Sequence, residues 1–409
     1  MHLKKHKQLE PTGFEENFAD APVTPAEHAI NQDLYDPSIS FATRIETGIQ
    51  RYRARRKFHV DTARIFSEFL SFGGIDSEQR QFTGRLTKAD LQDMDPADIA
   101  AMTGLHFVRD AVLDTQKWEV DFVGVVNGFL STEMFIQVFE DNNAKKVQFF
   151  TNVLANFYRW LMHNDVCVEY NDQLVQALAT CKKANDELTR SLDLAYKLPD
   201  GFSTACSTFF GGYFHDLYQP NQSWNEGDMP IGWGFEDANS LVMAGLSVYG
   251  TDEQFAAASS TSARQIVKRE SACLQIQAIE DPTEEAQSFY SRLKDTKLMA
   301  LGKIRCRRLR HDLSGPLQSA DNEDLLTFWI EEDVLPICFV GMKMKCEICE
   351  SNLGIKWLER VTSINPSYHL VLPNEFYGKG SDELLPKDYY KRMRRIMQYG
   401  WQTKQELAD

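Results

Sequence analysis

No run in this chain approaches the ~20 uninterrupted apolar residues that a membrane-spanning helix needs. The most apolar window, Val120 to Phe139, is broken by Asp121, Asn127 and Glu133, so no membrane partner is expected. The basic opening Met1-His2-Leu3-Lys4-Lys5-His6-Lys7 leads into polar, acidic residues instead of an apolar core. It does not read as a signal peptide, and the chain is expected to stay inside the cell. Positive charge is short as well: 44 Lys and Arg face 59 Asp and Glu, a net −15. Phosphate repels such a chain at long range, which argues against a dedicated nucleic-acid module. A Gly-x-Ser-x-Gly elbow, a P-loop and a Gly-x-Gly-x-x-Gly turn after a strand are all missing. Gly378-Lys379-Gly380-Ser381 lacks the upstream spacing of a phosphate loop and reads as a turn. No internal repeat is visible, and neither catalysis nor a cofactor is expected.

What the chain does have is concentrated between Gly13 and Asp76. Gly13 to Asp20 is acidic and aromatic, and Pro22 and Pro25 push their predecessors out of helical geometry. An extended N-terminal arm over residues 1–40 follows, too sparse in large apolar residues (Phe14, Phe18, Leu34) to have its own core. The arm would dock on its own body or on a partner, and the former is favoured. After Asp36-Pro37, Phe41, Ile45, Ile49 and Tyr52 recur at helical spacing. That helix ends in Arg51-Tyr52-Arg53-Ala54-Arg55-Arg56-Lys57, where the negative end of the helix dipole favours cations. A second helix with Ile65, Phe66, Phe69 and Leu70 inward closes at Gly73-Gly74.

Further along, helical pattern is expected over Leu86 to Thr103, Asn142 to Met162 and Asn171 to Tyr196. The last carries a stripe from Leu174 to Ala195 that fits ordinary core better than a partner-helix seam. Alternation predicts strands at Trp118 to Phe122, Leu274 to Ile279, Met342 to Ile348 and Tyr368 to Leu372. Pro199 to Gly250, rich in glycine, aromatics and turn formers, reads as a long loop. Helices are expected at Glu284 to Arg308 and Asp324 to Glu331, and a charged helix from Asp382. The class is α+β, mostly helical with a small, largely antiparallel sheet. Its organisation is an arm at 1–40, a globular body at 41–378 with possible lobes at 41–198 and 199–378, and a charged tail at 379–409.

Three short patterns invite chemistry. Cys346-Glu347-Ile348-Cys349 would need two more ligands to hold zinc, and only Cys338 and His369 lie near in sequence. Strand parity should also send Cys346 inward and Cys349 away from the core. The eight cysteines otherwise read as reduced, mostly buried small apolar residues. His215-Asp216 and His311-Asp312 lack the further ligands of a metal phosphohydrolase. A rival reading places an enzyme site in the 199–250 stretch, on His215, Asp216 or Glu236. Basic clusters at Arg51 to Lys57, Lys303 to Arg310 and Lys387 to Arg395 read first as solvated helix faces, and a direct small-RNA binder is the alternative. For the first cluster, pairing with the chain's own carboxylates, those of the acidic arm among them, competes with contact to a partner. The candidate contact residues are Phe14, Phe18, Arg51, Tyr52, Arg53, Arg55, Arg56 and Lys57.

The order of these parts resembles the Argonaute-binding subunit of the fungal Argonaute siRNA chaperone (ARC) complex. Gly13 to Asp20 with Pro22 and Pro25 carry the likeness first, then Leu34-Tyr35-Asp36-Pro37, Arg44-Ile45-Glu46, Ile49 to Phe58 and Gly73 to Asp76. Val120-Asp121-Phe122, Gly128 to Ser131, Asp165-Val166-Cys167, Glu169-Tyr170 and Trp329 to Pro336 extend it, so that it covers roughly Gly13 to Phe376. The family proline before Glu169 is replaced by Val168, and one residue is inserted in the turn after His163. The resemblance implies a non-catalytic protein of nucleus and cytoplasm. It would hold Argonaute carrying duplex siRNA, together with a second subunit, and restrain passenger-strand release. It would thereby support heterochromatin assembly and histone H3K9 methylation, touching small RNA only through Argonaute.

Overall fold

The computed structural model describes residues 23–56, 58–76, 107–108, 119–140, 144–215, 217, 232–260, 264–293, 298–309 and 325–372. The described chain forms two compact units, one within residues 23–130 and 145–185, the other within 131–144 and 186–371.

The first unit begins with a correction. Pro25–Leu34 is a helix (α1), not extended arm, because Pro25 occupies its first turn, where a missing N–H costs nothing. Thr24 caps it in a reciprocal box with Glu27, worth about 1 kcal/mol. Gly13 to Val23 contributes no more than its last residue to the described set. Asp36 bonds the Ser38 amide at 2.8 Å, turning the chain into Phe41–Ala54 (α2), which Ser40 caps. Val60–Phe72 (α3) follows, and Gly74, at φ +81°, supplies the left-handed exit. Ile75–Asp76 (β1) pairs antiparallel with Phe107–Val108 (β2). Leu86 to Thr103 lies outside the described residues.

Where Trp118 to Phe122 was expected as a strand, Phe122–Ser131 is a helix (α4) and Val120 is irregular. Asp121 accepts from the Gly124 amide at 2.7 Å, so its carboxylate starts a helix that alternation over so few residues could not outweigh. Glu133–Glu140 (α5), Ala144–His163 (α6) and Asn171–Lys197 (α7) come next, the last two close to expectation. α2, α3 and α6 meet around Tyr52, whose ring lies 5.3–5.7 Å from those of Phe58, Phe66, Phe157 and Trp160. These tilted and edge contacts suit the ring quadrupoles, and full burial of side chains such as Phe66 and Trp160 supplies about 2–3 kcal/mol each. At Gly48 an added Cβ would meet Val166 at 3.0 Å, so α2 lies close against the turn after α6 and a larger residue would push the Val166 side chain aside.

The second unit is a sheet beneath helices. The expected loop at Pro199 to Gly250 instead holds Gly201–Phe210 (α8) and Phe235–Tyr249 (α9), followed by Asp252–Ser259 (α10). Glycines and small residues there are helix caps and close-packing positions: Asp200 caps α8 at the Ser203 amide, and Gly211, at φ +79°, ends it. Ile266–Glu280 (β3) is the central strand. Of the helix expected at Glu284 to Arg308, only Glu284–Leu293 (α11) forms, and Leu301–Leu309 (β4) is a strand. Leu326–Glu331 (β5), expected as helix, is also a strand, and Lys343–Ser351 (β6) matches expectation. Lys356–Asn365 (β7) went unforeseen, whereas Tyr368 to Leu372 forms no strand.

The order is β5-β4-β3-β6-β7, antiparallel throughout. Short apolar runs such as Leu325 to Trp329 fit either element, and here sheet pairing decides. One face buries Leu274, Ile276, Ile304, Phe328, Met344 and Cys346. Across the other, Phe202, Phe209 and Phe210 of α8 gather with Leu241, Leu301, Cys349 and Trp357. Cys349 therefore lies under α8 at 1% exposure, and the expectation that it points away from the core is corrected: this sheet has cores on both faces. Helical segments with a five-stranded antiparallel sheet and the short β1–β2 pair make the fold α+β.

Candidate functional site

The arginines that α2 presents turn toward their own unit. Arg44, near the start of α2, is buried; its guanidinium bonds Ile39 O at 3.0 Å and Val166 O at 3.2 Å and forks onto Glu169. That hydrogen-bonded pair holds the Glu169 carboxyl below its usual range. Glu169 sits on the short 3-10 turn Val168–Tyr170, reached through Asp165 at φ +54°. The altered turn after His163 thus delivers the counter-charge for Arg44.

The Arg51 guanidinium donates to Asn31 Oδ1 at 2.8 Å and Tyr35 Oη at 2.9 Å, and Asn31 donates to Asn164 at 3.2 Å. Arg51 is thereby the bolt that fixes α1 to α2. Burial raises Tyr35, opposed by the Arg51 charge. Arg53 lies over the Phe58 ring at 5.6 Å, and burial lowers its pKa. Arg56 lies over Tyr52 at 4.6 Å, and Arg55 reaches Glu27 at 3.3 Å. Tyr52 is 3% exposed and holds the core together. Arg55 alone of this set is fully at the surface, with Arg51, Arg53 and Arg56 half-buried. Phe14, Phe18 and Lys57 lie outside the described residues.

The second unit buries charge of the opposite sign. Asp200 accepts from the Ser203 amide at 3.1 Å and the Glu331 amide at 2.9 Å, while Glu331 accepts from the Gly201 amide at 2.9 Å. Both sit at the α8 N-terminus, whose dipole favours anions. Even so, burial first and the Asp200 charge second push Glu331 up to about 8; burial raises Asp200 too. Glu359 accepts from Ser207 Oγ at 3.1 Å, the Tyr213 amide at 2.5 Å and Trp357 Nε1 at 2.5 Å. Glu187 takes the amide and hydroxyl of Ser367 at 2.8 and 2.9 Å. Each carboxylate closes a loop or cap, and Asp200, Glu331 and Glu359 are served by neutral donors. Sequence reading missed them; the N-cap position of Asp200 before α8 was the one available signal.

The residues of the rival enzyme reading are not gathered here. His215 is exposed and its Nδ1–H donates to Thr208 O at 2.7 Å, Glu236 is exposed in the first turn of α9, and Asp216 lies outside the described residues, as do His311 and Asp312. Burial pushes the Cys349 thiol up to about 12 and Cys346 well above its ordinary value. Among the described residues no group of three or more His, Cys, Asp and Glu could hold a metal ion, and no helix is long and apolar enough to cross a membrane.

The family model described as Argonaute siRNA chaperone (ARC) complex subunit Arb1 matches residues 2–379. The chain belongs to the Arb1 family. One curated relative, Argonaute-binding protein 1 of Schizosaccharomyces pombe, is 27% identical over 250 residues, 61% of each chain. The match thus spans about three-fifths of that relative's length. No solved structure matches. The match includes both described units and α2 with its arginines.

Proposed function

We propose that this chain binds Argonaute as a subunit of an ARC complex, together with at least one further subunit. The match to the Arb1 family over residues 2–379 is the observation that carries the reading. The name of the fission-yeast relative supports the same partner. On this reading the chain holds Argonaute loaded with duplex siRNA and restrains passenger-strand release. In doing so it supports siRNA-directed heterochromatin in the nucleus, with a further cytoplasmic pool. A binder that prefers the duplex-loaded state stabilises that state by its differential affinity, with no covalent step. The net charge of −15 and the inward commitment of Arg44, Arg51 and Arg56 favour contact with RNA only through Argonaute.

Within the arm, Phe14 and Phe18 are the proposed apolar contacts, with Arg53, Arg55 and Lys57 at the basic rim. The test is co-purification of the full chain with Argonaute, followed by passenger-strand release in a reconstituted assay. Capture of Argonaute with slowed release is expected, and Phe14→Ala with Phe18→Ala should weaken capture while the fold persists. A chain that neither retains Argonaute nor alters release sinks the reading.

A further inference from the structure

Of the 14 prolines in this chain, Pro25 alone follows a serine or threonine. A hydroxyl residue followed by proline is the minimal acceptor of a proline-directed protein kinase, so the chain offers such an enzyme a single address. Thr24 is exposed, and its backbone is extended, at φ −73° and ψ 157°, as a kinase cleft requires.

The hydroxyl of Thr24 stands at one end of a short polar relay. Its Oγ1 accepts from the Glu27 amide at 3.3 Å and donates to Glu27 Oε2 at 3.0 Å. The other oxygen of that carboxylate accepts from Arg55 Nη2 at 3.3 Å. Hydrogen bonds from Thr24 first, with the Arg55 charge behind them, hold the Glu27 carboxyl below its usual range. Farther along, Asn31 and Tyr35 bond Arg51, so residues one turn apart on the α1 side (27, 31 and 35) meet residues one turn apart on the α2 side (55 and 51). Asn31 is the buried residue within α1, so polar contacts more than apolar burial dock this helix, and its first turn opens at small cost. Charge added at Thr24 acts on those same contacts.

We propose that Thr24 is a phosphorylation site for a proline-directed kinase and that its phosphate fastens α1 to α2 by taking Arg55 from Glu27. In the step, Oγ1 attacks the γ-phosphorus of ATP and the bond from that phosphorus to the bridging oxygen breaks. ADP leaves with the electron pair, and the hydroxyl proton passes to the base of the kinase. The product carries about −1.5 to −2 charge at pH 7. At the N-cap it faces the first-turn amides and the positive end of the helix dipole. One carboxylate separates Oγ1 from Arg55, a gap that a phosphate and a flexible arginine close together, while Glu27, now a like charge, swings to solvent. A dianion replaces a monoanion opposite the same cation, which strengthens a surface pair that is weak in the unmodified chain. The inference is independent of the Argonaute reading.

The test treats the full chain with ATP and a proline-directed kinase, with a peptide of residues 18–31 as the control substrate. Mass spectrometry should find one added phosphoryl group, on Thr24, and none in Thr24→Val or in Pro25→Ala, which keeps the hydroxyl. Amide exchange over 26–34 should slow about threefold or more in the phosphorylated chain. Arg55→Ala should still accept the phosphate but lose most of that slowing. By phosphorus NMR, the second ionisation of the phosphate should fall below its ordinary value of about 6 and return toward it in Arg55→Ala. A chain left unmodified while the peptide is phosphorylated would overturn the proposal, because α1 would then keep Thr24 closed. Failure of both substrates, modification elsewhere, or exchange over 26–34 that is unchanged or faster would overturn it equally.

Discussion

The two units bury charge in opposite ways. Among the described residues of the first, the buried charged side chain is a cation: Arg44, with Glu169 and two main-chain carbonyls around it. Among the described residues of the second, the buried acids are Asp200, Glu331, Glu359 and Glu187, with amides, hydroxyls and an indole N–H among their partners. A cation paired with a carboxylate keeps both groups charged across the physiological range. A carboxylate served by neutral donors remains exposed to desolvation, and where two such groups meet, one is driven to keep its proton. The first arrangement clamps helices, whereas the second pins caps and loops onto a sheet.

The sharpest way to break this contrast is at Glu359. Glu359→Ala leaves Ser207, Trp357 and the Tyr213 amide without their acceptor, and a loss of about 3–4 kcal/mol in denaturant unfolding is expected. Glu359→Gln, which keeps an acceptor oxygen, should recover part of it. Arg44→Ala should cost somewhat less, about 2–3 kcal/mol, because Glu169 is partly exposed and water can resolvate it. Lost packing and the freed Val166 carbonyl make up the remainder.

Titration separates the units next. Glu331 rises from 4.5 to about 8 on folding, so the native state holds a proton that the unfolded chain releases above its ordinary value. Its contribution to stability therefore falls as pH climbs from 4.5 to 8 and levels off beyond. His369, driven down to about 3 by burial, works the other way and loses stability as pH falls from 6.5. The two oppose each other between 4.5 and 6.5, so the alkaline decline from about 6.5 to 8 belongs to the coupled Asp200–Glu331 pair, which Glu331→Gln breaks. Unfolding midpoints across pH should show that limb in the native chain and lose it in Glu331→Gln. A limb unchanged in the variant would refute the assignment. The smallest effect is at Arg55→Ala, whose contact with exposed Glu27 should leave the midpoint unmoved at ordinary salt.

How much was legible differs between the units for a related reason. In the first, α2, α3 and α6 followed from helical spacing of Ile45, Ile49, Ile65, Phe66 and Phe157, since each has one buried face. α1 was missed because Pro25 was weighed as a breaker, although Thr24 and Glu27 three residues apart spell a capping box. In the second, β4 and β5 were taken for helices: Leu301, Ile304, Phe328 and Ile330 are apolar in patterns that both periods accommodate. β7 was overlooked because both its faces are covered, so no polar alternation marks it. The arginine cluster was visible as chemistry, but its destinations were not. Nothing in Arg51 indicates that Asn31 and Tyr35 await it.

By itself, the sequence determined the family, the acidic balance and the helices with a single buried face, because periodicity and wording are local properties. Tertiary structure alone decided which arginines face inward, which acids keep protons and how the strands of the sheet pair. Those outcomes depend on distances between residues far apart in the chain, and no local pattern encodes a distance.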